Sequence, residues 1–395
     1  MIAVIEFLDS STGGNATLNL STAVFALFEG SNNAEHMTGT CIGGDQVFDS
    51  EIEFEGFSSA GEGTFTTVGG STSGEQGGFI LFDNTATADN ATFVIGGGLG
   101  AGLASTTLAF IDTTAAANAN ITANGGVGGS DGGVISFEDK SKGGKASITL
   151  SGNAELDIST HRAPGVTIGS LTGEGSVLLG ANTLTIGSNN QSTTFSGVIQ
   201  ETGGLTKTGA GTLTLTGNNL YTGNTTVTGG VLQVSNKRGS GTGTGSVNIN
   251  AGTLGGKGII SGAVTIGTGS GSGAFLAPAA GSNVQAMLTI QSALTFNADA
   301  TYAYTFRANR NRTWADKVIV SGVTINGGAM IALSGHAQGR LTTGLTLTLI
   351  SNTSANPISG TFSNLPDGAI VTVGRNQLKV SYEGGDGNDL TLTVQ

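Results

Sequence analysis

The chain has 395 residues with 69 glycines and only 4 prolines, and no Gly-X-Y period runs through it, which excludes collagen. Charged residues are 11% of the chain, against roughly 25% in an average globular protein, and the rest is rich in Thr, Ser, Asn, Val, Ile and Leu. That mixture favours strands and tight turns, while a net charge of −12 without a basic stripe argues against a nucleic-acid partner.

The opening MIAVIEFLDS lacks the basic segment and cleavage site of a signal peptide, so an exported form would be a mature form or a fragment. No apolar run approaches the ~18–20 residues of a membrane span. The single cysteine, Cys41, excludes an intrachain disulfide framework and reads as a buried thiol or an intermolecular link.

Five similar blocks follow along the chain: IEFLDSSTGGNATL (5–18), IEFEGFSSAGEGTF (52–65), ILFDNTATADNATF (80–93), LAFIDTTAAANANI (108–121) and ISFEDKSKGGKASI (135–148). Phe54, Phe82, Phe110 and Phe137 recur every 28, 28 and 27 residues. An apolar residue precedes each Phe by two and another follows by eleven, while the ninth position after it holds only Ala or Gly. The residue between the first apolar pair varies freely, as on a strand with one specified face. The first block lies 47 residues before the second, and the stretch around 21–50, with His36 and Cys41, reads as an insertion.

Ala115, Ala116 and Ala117 suggest a helix by propensity. Their counterparts in other blocks include Lys-Gly-Gly, so the shared conformation is a turn between strands. A unit of about 28 residues cannot bury its apolar face alone and must stack on its neighbours. The predicted fold is an all-β parallel β-helix (β-solenoid), with the four phenylalanines as an inward ladder at ~4.8 Å.

From about residue 165 the rhythm shortens, and GGLTKTGAGTLTLTGNNLYTGNTTVTGGVLQV (203–234) follows. Gly204-Leu205-Thr206-Lys207, Gly211-Thr212-Leu213-Thr214-Leu215, Asn219, Tyr221-Thr222-Gly223, Thr225 and Gly230 closely resemble the autotransporter-associated β-strand repeat of bacterial surface proteins. GTLGGKGIISGAVTIG (252–267), Leu276-Ala277-Pro278 and residues 360–394 are also similar to that family. The resemblance implies a right-handed parallel β-helix displayed outside a Gram-negative-type cell; it does not imply a catalytic activity. No outer-membrane barrel pattern follows. Three segments are expected: 1–160, 161–295, and a less regular C-terminal β-subdomain at 296–395.

Candidate chemistry is sparse. RANRNRTWADK places Arg307, Arg310 and Arg312 beside Trp314, the only tryptophan, a set suited to an acidic sugar through guanidinium pairing and stacking, or else a solvated turn whose Trp covers the core. That arrangement is also what a polysaccharide-lyase-like β-helix would need. GGDGNDL (384–390) resembles one calcium-binding repeat, with Asp386 and Asp389 as ligands, although a tight turn explains it as well. His36, His161 and His336 share no metal spacing, and no nucleophile motif supports catalysis. Glu51, Glu53 and Glu55 fall on one outward face of a strand.

No cofactor is called for. Strand patterns reach close to both ends without a capping helix, which fits a fragment, self-capping coils, or subunits stacking head to tail. The expected role is a secreted or cell-surface, adhesive or structural solenoid. Its expected partners are further copies of itself, or a glycan or protein of a host surface or matrix.

Overall fold

The computed structural model describes residues 3–21, 23–43, 50–70, 77–100, 103–271, 273–280 and 285–395. All regular elements among them are strands, and they form two compact units, residues 1–204 and 205–395.

In the first unit each coil up to Leu150 lays one strand on each of two parallel sheets, and Gly165–Ile168 and Thr183–Ile186 then open a third. One sheet stacks Ala3–Phe7, Val24–Phe28, Glu51–Phe54, Phe79–Phe82, Thr107–Phe110 and Val134–Phe137, and continues through Glu155–Asp157, Ser176–Leu178 and Val198–Gln200. The other stacks Thr17–Leu20, Thr38–Ile42, Thr64–Val68, Thr92–Ile95, Asn120–Ala123 and Ser147–Leu150 in the same way. Pairing is in register, Phe82 opposite both Phe54 and Phe110. The chain is a parallel β-helix.

The interior follows from the alternation. Phe7, Phe28, Phe54, Phe82, Phe110 and Phe137 stack face to face with centroids 4.4, 4.6, 4.7, 4.8 and 5.0 Å apart. Offset stacking at this spacing comes directly from the interstrand distance and adds to the apolar area buried. Phe65 and Phe93 form a second column that meets the first edge-on, at 5.4 Å from Phe54 and 5.7 Å from Phe82.

Between the two sheets the chain turns twice, two and seven residues after each ladder Phe. The first turn puts Asp9, Gly30, Gly56, Asn84, Asp112 and Asp139 at φ of 51–97°. The second puts Gly14, Glu35, Gly61, Asp89, Ala117 and Gly144 at 46–62°. This left-handed region favours Gly, Asn and Asp, which fill every first-turn position. One residue between the turns bridges to the next coil, in the column Thr12, Asn33, Ser59, Thr87, Ala115 and Lys142. The alanines at 115–117 are therefore a bridge, a buried corner and a left-handed turn. The first two amides bond to neighbouring coils, Ala115 N–H to Ala86 O at 3.1 Å on one side and Ala116 N–H to Lys142 O at 2.7 Å on the other, which no helix would allow.

The stretch around 21–50 is not an insertion where it is described. Val24–Phe28 pairs in register with Ala3–Phe7 and Glu51–Phe54, and Thr38–Ile42 with Thr17–Leu20 and Thr64–Val68, so residues 24–42 form a coil. Its sequence breaks the pattern at the two positions that defined it. Met37 stands where other blocks have Ala or Gly, and Gly39 where they have a large apolar residue. Phe65 and Ile52 lean into the room left at Gly39, where an added Cβ would lie 2.8 Å from each.

In the second unit the parallel stacking continues on three faces, for example Thr225–Val227, Val247–Ile249, Val264–Ile266, Leu294–Phe296 and Val323–Ile325. Toward residue 395 the pairing changes sign. Thr346–Asn352 pairs antiparallel with Asp389–Val394, which pairs with Asn376–Gly384, which pairs with Ile370–Val373. Tyr382 ties this meander together, its hydroxyl donating to Leu365 O at 2.8 Å and accepting from Phe362 N–H at 3.0 Å.

Candidate functional site

Strand Ala300–Asn309 is the longest among the described residues and alternates strictly, with Tyr302, Tyr304, Phe306 and Ala308 buried. Its outward residues therefore include Arg307 and Asn309. It turns at Arg310-Asn311 into Arg312–Ala315, antiparallel, with Arg307 opposite Trp314 and Asn309 opposite Arg312. On its other side runs Met330–Ala337, parallel, with Arg307 opposite His336. Trp314, Arg307 and His336 thus form one row across three adjacent strands. Interstrand spacing puts such neighbours ~4.8 Å apart.

This row lies in a groove of about 670 Å³ that Gln285, Asn309 and Gln338 also line. A second depression of about 620 Å³, lined by Asn309, Arg310, Asn311, Arg312 and Gln338, adjoins it. The four residues singled out from sequence are therefore divided between two neighbouring hollows, Arg307 and Trp314 in one, Arg310 and Arg312 in the other. Trp314 is 45% exposed and does not cover the core. His336 and Gln338 were not singled out as part of this group, since they lie some 25 residues further on and only parallel pairing brings them in.

The hairpin's own carboxylate is turned away. Asp316 is buried, accepting N–H bonds from Ala286 at 3.1 Å and Thr305 at 3.3 Å, and burial raises its carboxyl above the usual range. Two ion pairs occur among the described residues, His36–Glu62 and Arg162–Asp139, and neither involves the hairpin arginines.

The other expectations resolve differently. Asp386 lies in the exposed turn, whereas Asp389 is buried, accepts the Asn352 N–H at 2.9 Å, and has its carboxyl raised by that burial. Among the described residues no three His, Cys, Asp or Glu side chains gather to hold a metal. His36 faces Glu62 at 3.5 Å, and His161 bonds Ser141 O at 2.8 Å. Cys41 is fully buried, its thiol pushed up to about 12 by desolvation first and then Glu51, so it is neither accessible for an intermolecular link nor reactive. On the acidic strand, burial, then Glu55 and Asp83, raise the Glu53 carboxyl.

The motif residues at 205–234 have structural roles. Lys207 is buried and its ammonium donates to the carbonyls of Thr208, Gly209 and Gly229 at 2.5, 3.0 and 3.2 Å, clamping two turns. Tyr221 is buried, its hydroxyl paired with Thr225 Oγ1 at 2.6 Å, and Asn219 donates to Gly241 O at 2.7 Å. Gly230 sits at φ +66°, where a Cβ would fall 2.4 Å from Gly209 O and Gly211 O.

No curated protein matches the chain. Among solved structures it is similar to the crystal structure of the Haemophilus influenzae Hap adhesin, at 11% identity and a TM-score of 0.30, over 95% of this chain and 59% of that one. The chain thus spans about three-fifths of that adhesin's length. The family model that matches is the passenger-associated-transport-repeat, over residues 205–234. The chain is a parallel β-helix that carries, at Leu205–Val234, the repeat of autotransporter passengers.

Proposed function

We propose that the chain is the passenger-type region of a secreted or cell-surface protein, with an adhesive or structural and non-enzymatic role. The observation that supports this reading is the passenger repeat at 205–234, whose Lys207, Asn219, Tyr221 and Gly230 all serve the coil and none a reaction. The work of such a molecule is mechanical. Most of the described strands are hydrogen-bonded along the stack, so few backbone groups are offered to a protease, and the side chains on the outer faces make the contacts.

Protease shaving of intact producing cells tests display: release of the chain, together with weaker attachment of cells lacking it to matrix-coated surfaces, is the expected result. Full protection of the chain until the cells are lysed would overturn it. Head-to-tail assembly into a fibre is the structural form of the same reading. Electron microscopy of the purified chain across a concentration series separates filaments from discrete particles.

A further inference from the structure

The outer face around the Arg307 hairpin combines three features found together nowhere else among the described residues. The first is unbalanced positive charge. Arg307, Arg310 and Arg312 sit on one hairpin with no ion-pair partner among the described residues, and the single carboxylate between residues 300 and 342, Asp316, is buried and bonded to backbone amides. The second is an exposed indole beside a guanidinium, Trp314 opposite Arg307. The third is a set of carboxamides, Gln285, Asn309, Asn311 and Gln338, lining the two adjoining hollows.

Each feature narrows the ligand. Guanidinium groups pair bidentately with carboxylate, sulfate or phosphate oxygens. A flat aromatic flanked by polar groups offers a stacking surface with one wet edge. Carboxamides both donate and accept, so they match a ligand that carries many hydroxyls as well as charge. A lipid surface needs donors and an inserting apolar patch, and Trp314 is the one large apolar side chain in these hollows. The pair Trp314–Arg307 and the next outward pair, Arg312–Asn309, are two residues apart along the strand, about 7 Å. Charges thus repeat along the groove.

We infer that this face binds an acidic polysaccharide, with Trp314 stacking on a sugar ring, Arg307 and Arg312 pairing with successive carboxylate or sulfate groups, and Asn309 and Gln338 bonding hydroxyls between them. The setting rests on the surface display proposed above, but the chemistry does not. Binding by the purified chain and shaving of cells therefore fail independently.

The test is calorimetric titration of the full chain with a heparin-derived hexasaccharide, with a neutral dextran oligosaccharide and with phosphatidylserine-containing vesicles. Saturable binding of the hexasaccharide alone is expected, weakened at least tenfold in Arg307→Ala and in Trp314→Ala. Arg307→Lys fails to restore it, because an ammonium cannot pair bidentately. Arg375→Ala, outside both hollows, leaves binding unchanged. All four side chains are on the outer face or in exposed turns, so unchanged thermal unfolding of each variant separates lost binding from lost fold. No binding of the hexasaccharide, equal binding of dextran, tighter binding of vesicles, or unchanged affinity in an Arg307→Ala/Arg312→Ala double variant would each overturn the assignment.

Discussion

At the scale of single residues, Lys207 shows how a repeat motif is written by packing. A buried ammonium is costly unless its three donors are met, and here three carbonyls meet them. Lys207→Met leaves those carbonyls to water or to nothing, and a loss of about 2–4 kcal/mol is expected by urea unfolding. Burial pushes the Lys207 amine down to about 8, from 10.5 for the free side chain. Between these values the unfolded chain holds the proton that the folded chain has released, so stability from this group rises with pH across that window. Subtracting the pH profile of Lys207→Met from that of the parent isolates the rise; a flat difference from pH 8 to 10.5 would contradict it. Ala117 illustrates the same lesson on the backbone. Its propensity is helical, but its φ of 49° is imposed by the turn that the coil needs.

At the scale of the element, the phenylalanine ladder and the acidic strand pull in opposite directions. Phe110 is fully buried and stacked between Phe82 and Phe137 at 4.8 and 5.0 Å. Phe110→Ala is expected to cost about 3–5 kcal/mol, whereas Phe7→Ala, on a half-exposed ring, costs far less. Thermal and urea unfolding of the two variants checks the contrast.

Glu53, one residue from the ladder, is half-buried, and burial together with Glu55 and Asp83 holds its carboxyl above the usual range. A folded carboxyl raised in this way keeps its proton longer than the unfolded one, so its contribution declines as pH rises out of the acid range. Glu53→Gln removes that decline. The variant is expected to be more stable than the parent at pH 7, by about 0.5 kcal/mol, and to lose the advantage near pH 4, as read by thermal unfolding at both pH values.

At the scale of the whole molecule, a solenoid's stability is close to a sum over coils and their neighbour contacts. Because Phe82 and Phe110 are register partners, deleting the 28 residues Asp83–Phe110 joins equivalent positions and removes one coil. The shortened chain is expected to fold and to melt within about 5 °C of the parent. Deleting half that length sends each following strand to the wrong sheet and abolishes cooperative unfolding. Differential scanning calorimetry distinguishes the two.

Charge is also organised at this scale. Residues 1–204 hold 21 carboxylates against 4 Lys and Arg, a balance of −17, and residues 205–395 hold 6 against 11, a balance of +5. The overall −12 conceals a basic unit, which is where the hairpin arginines lie.

The sequence by itself determined the coil, its length, the inward ladder and the turns at 115–117. A solenoid presents the same environment at every repeat, so inward positions recur with a period that can be counted. The same logic hid residues 24–42. With Met37 and Gly39 at the two defining positions, that coil carries no readable period, and only pairing to both neighbours reveals it. Tertiary structure alone decided the make-up of the groove. Arg307 and Trp314 are close in sequence, but His336 and Gln338 reach them through parallel pairing across a whole coil, and Gln285 through the groove's other wall. Parallel pairing leaves no local mark in the chain, since its partners are a coil apart and their outward side chains are free to vary.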